Sequence, residues 1–206
     1  MNPTFAAVCR STVRLLSTLP ALSLVLTLAG GTGIAAAVGA APTARGAGEY
    51  FTDVELVDQN GVRHHLYSDL LQGKVVVINA MFTSCANSCP AMAARLAKMQ
   101  RFLGDRLGKD VHILSISVDP ENDTPERLHT FAETFGARPG WYLLSGEKEN
   151  VALALKKLGQ YVDEPDTHQS VMIMGNEPTG LWKKAMGLAP AEELIQVLES
   201  VLEDRQ

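Results

Sequence analysis

Several signals of common protein classes are missing from this chain of 206 residues. It contains no glycine-rich phosphate loop, no internal repeat and no low-complexity block, so neither a nucleotide-binding loop nor a solenoid is indicated. No stretch interleaves basic with aromatic residues. Removing the three arginines before residue 46 from the 18 basic residues leaves 15, against 23 acidic ones, for a net charge of about −8. Because such a surface repels a phosphate backbone, we exclude nucleic acid as a partner.

Charge is absent from a long N-terminal segment. Arg10 and Arg14 are followed by 30 uncharged residues, 15–44, and the first acidic residue is Glu49. A helix needs about 20 apolar residues to cross a bilayer, and the small residues at positions 38–41 suit a signal peptidase. We therefore expect residues 1–45 to be a signal peptide or a single-pass membrane anchor with its linker. Residues 46–206 then form one exported domain.

The placement of the arginines predicts on which side of the membrane that domain lies. Basic residues before the apolar run keep the N-terminus in the cytoplasm, so the domain faces the other side. We predict the periplasmic face of a bacterial inner membrane, with the chain either anchored there or released by cleavage. The mitochondrial inner membrane is the weaker alternative, since an acid-free segment with Arg and Ser also occurs in presequences.

The exported part alternates strand and helix patterns. Two short alternating runs around Asn60-Gly61 predict an N-terminal β-hairpin. Continuous apolar runs at 74–82 and 111–118 are typical of strands buried on both faces. Helical periodicity follows each of these runs, with Pro90 in the first turn of one helix and Thr124-Pro125 as the cap and first residue of the next.

The second half of the domain continues this order. Residues 141–145 predict a short strand, residues 151–158 a helix, residues 171–175 and 181–185 a hairpin, and the C-terminal residues a last helix. Alternating strands and helices that finish in a hairpin and a helix predict an α/β fold, a thioredoxin-like sandwich with a mixed sheet.

Cysteine is scarce, and two of the three cysteines lie together. The segment FTSCANSCP, residues 82–90, carries Cys85 and Cys89 after the first buried strand, whereas Cys9 lies in the N-terminal segment, where we predict no role for it. Four residues along a helix rise about 6 Å, a separation that allows a disulfide or a shared soft metal ion. The spacing leaves open a structural disulfide, a redox pair and a metal site. The N-terminus of a helix stabilises a thiolate, which is the form that both a redox pair and a metal site need.

The position of one histidine favours a metal. His168 precedes the strand at 171–175, and in the predicted sheet that loop faces the start of the cysteine helix. Two thiolates and one imidazole suit Cu(I) and hold Cu(II) with an added ligand, whereas a closed structural zinc site normally has a fourth protein ligand. We predict surface or packing roles for the other four histidines, His64, His65, His112 and His129.

Three motifs together resemble one protein family. The run INAMFTSCANSCP, the run SVDPENDTP at residues 117–125 and His168 are similar to motifs of the Sco/SenC family, and the resemblance covers residues 53–202. It implies a thioredoxin-like fold, a membrane tether and copper bound by Cys85, Cys89 and His168. Members of the family deliver copper to the dinuclear copper centre of cytochrome c oxidase, or reduce the cysteines of that centre.

Two departures from the family pattern stand out. Many members have CPDxCP where this chain has CANSCP, and DHS where it has THQS. These changes bear on copper affinity and on partner identity more than on the ligand set. Asp119 and Asp123 of the SVDPENDTP motif either contact a partner, tune the site, or cap turns and the following helix.

We therefore expect a copper metallochaperone, which is not an enzyme in the strict sense. Its partners are a copper-accepting subunit of a respiratory oxidase and the membrane. The alternative is a thiol-disulfide reductase in which Cys85 and Cys89 carry the redox chemistry and a thiol reductant protein is a partner. CxxxC in place of CxxC, and HQS where thioredoxins have a proline, favour the metal. A peroxidase is disfavoured because Phe82 and Ala86 replace the Thr or Ser expected before the attacking cysteine.

Overall fold

The computed structural model of the chain describes residues 50–205. No helix within this range combines the length and the apolar character needed to cross a membrane. The predicted signal or anchor at residues 1–45 lies outside the described residues, and the division of the chain at residue 45 stays a prediction.

Seven strands form one mixed sheet. They are β1 (Glu55–Asp58), β2 (Arg63–His65), β3 (Val75–Met81), β4 (Val111–Ser117), β5 (Trp141–Ser145), β6 (Val171–Asn176) and β7 (Leu181–Met186). Their order across the sheet is β2-β1-β5-β4-β3-β6-β7. The neighbours β3, β4 and β5 run parallel, and the remaining neighbouring pairs run antiparallel. The predicted mixed sheet and both predicted hairpins, β1-β2 and β6-β7, are confirmed.

Four α-helices of the described residues cover the sheet, besides short helical turns at Leu66–Leu71, Gly104–Arg106 and Pro165–Thr167. The four α-helices are α1 (Ser88–Leu103), α2 (Pro125–Phe135), α3 (Lys148–Leu158) and α4 (Ala191–Leu202). The units β3-α1-β4 and β4-α2-β5 advance in the same direction across the sheet, so right-handed crossovers place α1 and α2 on one face. There α1 also packs against α4, while α3 packs against β1 and β4. All seven residues of β3 and all seven of β4 are buried, as their continuous apolar runs predict.

The starts of α1 and α2 agree with the sequence, with Pro90 in the first turn of α1, and the start of α3 differs. Thr124 caps α2, its hydroxyl accepting a hydrogen bond from the Arg127 N–H, and Pro125 is the first helical residue, as predicted. Helix α3 begins at Lys148, three residues before the predicted start. Helix α1 begins at Ser88, two residues before Pro90. Proline is tolerated there because no N–H of the first turn has an intrahelical partner.

Three loops meet at one edge of the sheet. Met81 pairs with Ser117 at the carboxyl ends of the parallel strands β3 and β4. Strand β6 runs antiparallel to β3, with Asn79 opposite Met172, so β6 begins at that same edge. The loops that follow β3 and β4 and the loop that precedes β6 therefore converge, which is where open α/β sheets place their ligands.

Candidate metal centre

The sulfur of Cys85 lies at the N-terminus of α1. The chain turns after β3, with the Cys85 N–H donating to the Phe82 carbonyl at 3.3 Å. Helix α1 has no side-chain cap at Asn87. The backbone N–H groups of Asn87, Ser88 and Cys89 instead hydrogen-bond the Cys85 sulfur. The sulfur thus accepts from the otherwise unpaired donors of the helix start, the place that a Ser or Asp oxygen usually takes.

The two thiols differ in acidity. Burial raises the pKa of Cys85, but hydrogen bonds from the Cys89 thiol and from the helix N–H groups outweigh it, so the net pKa lies below the ordinary value. Burial and the hydrogen bond to Cys85 raise the pKa of Cys89 to about 12. Cys85 is 9% exposed and Cys89 2%. The pair therefore has one buried thiol that is prone to ionise and one more deeply buried thiol that stays protonated.

His168 presents one ring nitrogen to the cysteines. It follows the single helical turn Pro165–Thr167, and its Nδ1 lies 2.9 Å from the Pro165 carbonyl oxygen. Because a carbonyl only accepts hydrogen bonds, the proton of the neutral ring is on Nδ1, which leaves a lone pair on Nε2. That Nε2 lies 3.5 Å from the Cys89 Sγ. The loop before β6 thus brings its histidine to the start of the cysteine helix.

A phenyl ring holds the imidazole from the side. The rings of Phe82 and His168 meet edge to face, with centroids 5.5 Å apart and planes at 85°. Phe82 is itself buried. This contact and the bond to Pro165 fix both the tilt of the ring and the atom that it directs toward Cys89.

The three predicted ligands are not all gathered around one point. Within residues 50–205, no group of three His, Cys, Asp or Glu side chains has its donor atoms arranged around a single position for a metal ion. Cys89 and His168 are in contact, whereas Cys85 directs its sulfur to the helix N–H groups. The ligand roles of the three residues stay predictions.

The other histidines lie away from this edge. His112 is buried at the start of β4, with its ring bonded to the Leu70 carbonyl. The remaining three are bonded on the N-terminal hairpin and on α2, in the contacts His64–Asp58, His65–Asp53 and His129–Glu133. His64 and His65 lie on β2, four strand positions from β3, which leads into the cysteine loop.

One residue of this edge, Thr83, was missed by the sequence reasoning, and so was the burial of its partner Asp123. Asp123 is 1% exposed, and its carboxylate accepts hydrogen bonds from Thr83 and Ser117. The motif SVDPENDTP singled out Asp123, but nothing in the sequence signalled that Thr83 would bind it. Asp119 has the capping role of the alternatives considered, since its carboxylate accepts from the Asn122 side chain and its carbonyl from the N–H groups of the turn.

The chain is similar to known proteins over most of its length. The family model SCO1/SenC matches residues 42–203. The SCO1 protein homolog of Bacillus subtilis (strain 168) is 33% identical over 117 residues, which cover 55% of this chain and 60% of that protein. This chain thus spans at most 60% of the length of the curated relatives that it matches.

Solved structures extend the comparison to the fold. One is BsSco, described as a member of the Sco family of cytochrome c oxidase assembly proteins with a disulfide switch; it is 29% identical, with a TM-score of 0.60, over 73% of this chain and 92% of that chain. Another is Bradyrhizobium japonicum ScoI with copper bound, 25% identical with a TM-score of 0.59, over 72% of this chain and 96% of that chain. Their agreement confirms the thioredoxin-like fold. Because the family model covers both cysteines, the SVDPENDTP motif and His168, the chain belongs to the SCO1/SenC family.

Proposed function

We propose that this protein carries copper as its cargo on the exported side of a membrane and passes it to a copper-accepting subunit of a cytochrome c oxidase-type enzyme. Cys85, Cys89 and His168 are the proposed ligands. The observation that carries the proposal is the contact between the free Nε2 lone pair of His168 and the Cys89 sulfur. Two elements distant in sequence meet there with donor atoms facing each other.

The separation of those two atoms suits a shared metal ion. For metal–nitrogen and metal–sulfur bonds of about 2.1 and 2.3 Å that enclose an angle of about 110–120°, the two donor atoms lie roughly 3.6–3.8 Å apart. The observed Nε2 to Sγ distance is 3.5 Å. Little movement of His168 or Cys89 is therefore needed for both to bind one ion.

The chemistry of the donors favours Cu(I). Thiolates are soft ligands that select Cu(I), and an imidazole completes a three-coordinate set. Both thiols lose their protons when they bind the metal, so loading releases up to two protons to solvent. Since Cys89 has a pKa of about 12, its proton leaves only as the metal arrives. Transfer to the partner then proceeds by exchange of these ligands for soft ligands of the partner.

The relatives support the choice of metal and partner. A ScoI of similar fold has been solved with copper bound, and BsSco is described as belonging to a family of cytochrome c oxidase assembly proteins. Two cysteines and one histidine of this chain are donors of the kind that copper prefers. We carry the copper and the oxidase from them to this chain as part of the proposal.

A second function, thiol-disulfide reduction, is supported by the asymmetry of the two cysteines. The Cys85 thiolate attacks a partner disulfide, forming a mixed disulfide and releasing one partner thiolate. Cys89 loses its proton and attacks the Cys85 sulfur, which releases the second partner thiolate and leaves a Cys85–Cys89 disulfide. Two electrons pass to the partner, and a thiol reductant protein restores the pair. The lowered pKa of Cys85 and the raised pKa of Cys89 suit these two roles.

One comparison separates the two functions. The reduced domain is titrated anaerobically with Cu(I) against a competing chelator, using the wild type, His168→Ala and Cys85→Ala, with His129→Ala as a control on an exposed histidine. The copper proposal expects both site variants to lose affinity and the control to match the wild type. If His168→Ala binds Cu(I) as the wild type does, and only the cysteine variants lose disulfide-reductase activity, reduction is the function.

A further inference from the structure

A buried carboxylate joins two of the loops at the site. Asp123 belongs to the loop after β4, and Thr83 belongs to the loop after β3, two residues before Cys85. The Thr83 N–H lies 3.1 and 3.3 Å from the two Asp123 oxygens, and the Thr83 hydroxyl donates to one of them. The carboxylate thus binds both polar groups that Thr83 offers.

The same carboxylate is also fixed from the other side. The Ser117 hydroxyl, at the end of β4, donates to the second Asp123 oxygen, and the Asp119 N–H donates in turn to the Ser117 hydroxyl. Within residues 50–205, no lysine, arginine or histidine forms an ion pair with Asp123. A buried carboxylate without a cation is costly unless its lone pairs are filled. The N–H and hydroxyl groups of Thr83 and the hydroxyl group of Ser117 bind to these lone pairs. The positions of Thr83 and Ser117 relative to Asp123 are therefore fixed.

The position of Cys85 depends on this arrangement. Its loop has only one backbone bond of its own, from the Cys85 N–H to the Phe82 carbonyl at 3.3 Å. Thr83 lies inside that turn, so a fixed Thr83 fixes the direction in which the chain reaches Cys85. The end of β4 serves as the rigid support, because Ser117 is fully buried in the central sheet.

We infer that Asp123 is a positioning residue for the metal centre: by binding Thr83 and Ser117 it holds the loop that carries Cys85 against the end of β4. This inference rests on the proposed function, since it is the copper site that the loop completes. Asp123 itself touches neither the metal nor the partner in this assignment. It acts through Thr83 on Cys85.

The test compares two carboxylates of one loop. Asp123→Asn keeps the shape of the side chain but replaces an acceptor oxygen with an N–H₂ group that faces the Thr83 or Ser117 donors. Asp119→Asn makes the same charge change on a side chain that binds only Asn122. We expect Asp123→Asn to weaken Cu(I) binding by about tenfold or more, the usual effect of removing a group that orients metal ligands. We expect Asp119→Asn to leave Cu(I) binding nearly unchanged. Equal affinities in the two variants overturn the inference.

A double-mutant cycle shows whether the effect passes through Cys85. The Asp123→Asn change is repeated in a Cys85→Ala background, where the loop has no ligand left to position. We expect the loss of Cu(I) affinity seen in the wild-type background to disappear. An equal loss in both backgrounds means that Asp123 acts on the fold as a whole, and the inference is then wrong.

A readout without metal keeps this inference separate from the copper proposal. Amide hydrogen exchange of Thr83 is expected to be slow in the metal-free wild type and in Asp119→Asn, and fast in Asp123→Asn, because the N–H loses its buried acceptor. Thr83→Val, which keeps the N–H and removes the hydroxyl donor, is expected to fall between them and serves if Asp123→Asn does not fold. If the wild type binds no copper, the proposed function fails, while this exchange pattern still supports the role of Asp123 in holding Thr83. Fast amide exchange of Thr83 in the wild type would show that Asp123 does not hold it, and the inference is then wrong.

Discussion

The Nδ1 atom of His168 lies 2.9 Å from the carbonyl oxygen of Pro165, three residues earlier in the chain. This bond orients the imidazole as hydrogen bonds to metal-binding histidines commonly do, with one nitrogen donating and the other left free. The free nitrogen is the one that faces Cys89. The Pro165 carbonyl thus orients the ring so that Nε2 is available for the proposed copper ion.

The first prediction concerns the tautomer of His168. In the reduced, metal-free domain, we expect the neutral form of the His168 ring to carry its proton on Nδ1, because the Pro165 carbonyl accepts a hydrogen bond from it. Nitrogen-15 chemical shifts of the ring report the tautomer directly. His129, which is exposed on α2 with its Nε2 3.4 Å from a Glu133 oxygen, is the control and is expected to carry its proton on Nε2. Protonation of His168 on Nε2 contradicts the orientation described here.

The second prediction concerns the pH dependence of cysteine alkylation. The thiolate is the reactive form, so Cys85, whose pKa is lowered by the helix N–H groups, gains reactivity at a lower pH than an ordinary cysteine. Cys89, with a pKa of about 12, stays protonated and unreactive through neutral and mildly alkaline pH. We expect iodoacetamide to label Cys85 selectively between about pH 7 and 9, close to the range in which a free thiol begins to ionise.

Mass spectrometry of the labelled peptides measures this selectivity. Cys85→Ser is the matched control, since it removes the reactive thiol and keeps a hydrogen-bond acceptor at the helix start. It should leave almost no label on the folded domain, while Cys85 and Cys89 of the urea-unfolded wild-type domain should react at similar rates. Equal labelling of Cys85 and Cys89 in the folded wild type means that the two sulfurs do not differ in acidity as described.

The parts of the fold that the sequence predicts are those with a strong local pattern. β3 and β4 are continuous apolar runs, Thr124 and Pro125 form a recognisable helix start, and Asn60-Gly61 lies in the hairpin that it predicts. The approach of His168 to the cysteine helix was predicted from topology, because β6 runs antiparallel to β3 and therefore begins at the edge of the sheet where β3 ends.

The features that were missed depend on contacts between distant residues. The sequence predicted a thiolate at the start of α1 but did not show that it would be Cys85, since that depends on how the loop after β3 turns. The burial of Asp123 was missed because its motif is polar and has the composition of a surface turn. Its donor Thr83 lies 40 residues away in sequence, and a single sequence does not reveal such a pair.

The third prediction concerns the side of the membrane on which the domain lies. Basic residues before the uncharged segment keep the N-terminus in the cytoplasm, so a reporter fused after residue 206 should be exported. In a bacterial host we expect an alkaline phosphatase fusion to be active and a matching green fluorescent protein fusion to be dark. Deletion of residues 1–45 should reverse both results. An inactive phosphatase fusion on the full chain contradicts the predicted export.

The last prediction concerns a tight approach between the two strands that follow the His168 loop. Gly175 of β6 lies opposite Trp182 of β7, and a Cβ added at Gly175 would lie 2.1 to 2.6 Å from three atoms of the indole ring. The ring has little room to move, since Phe51 packs against it with centroids 4.8 Å apart. We expect Gly175→Ala to lower the free energy of unfolding by about 1–3 kcal/mol, the usual cost of overpacking.

A double-mutant cycle identifies the cause of that loss. In a Trp182→Leu background the smaller side chain leaves space above residue 175, so the added methyl group should cost much less there. Urea unfolding followed by circular dichroism measures both steps without depending on the fluorescence of the substituted tryptophan. If Gly175→Ala lowers the free energy of unfolding equally in the two backgrounds, the indole is not what requires glycine, and the backbone conformation of β6 would have to be the reason.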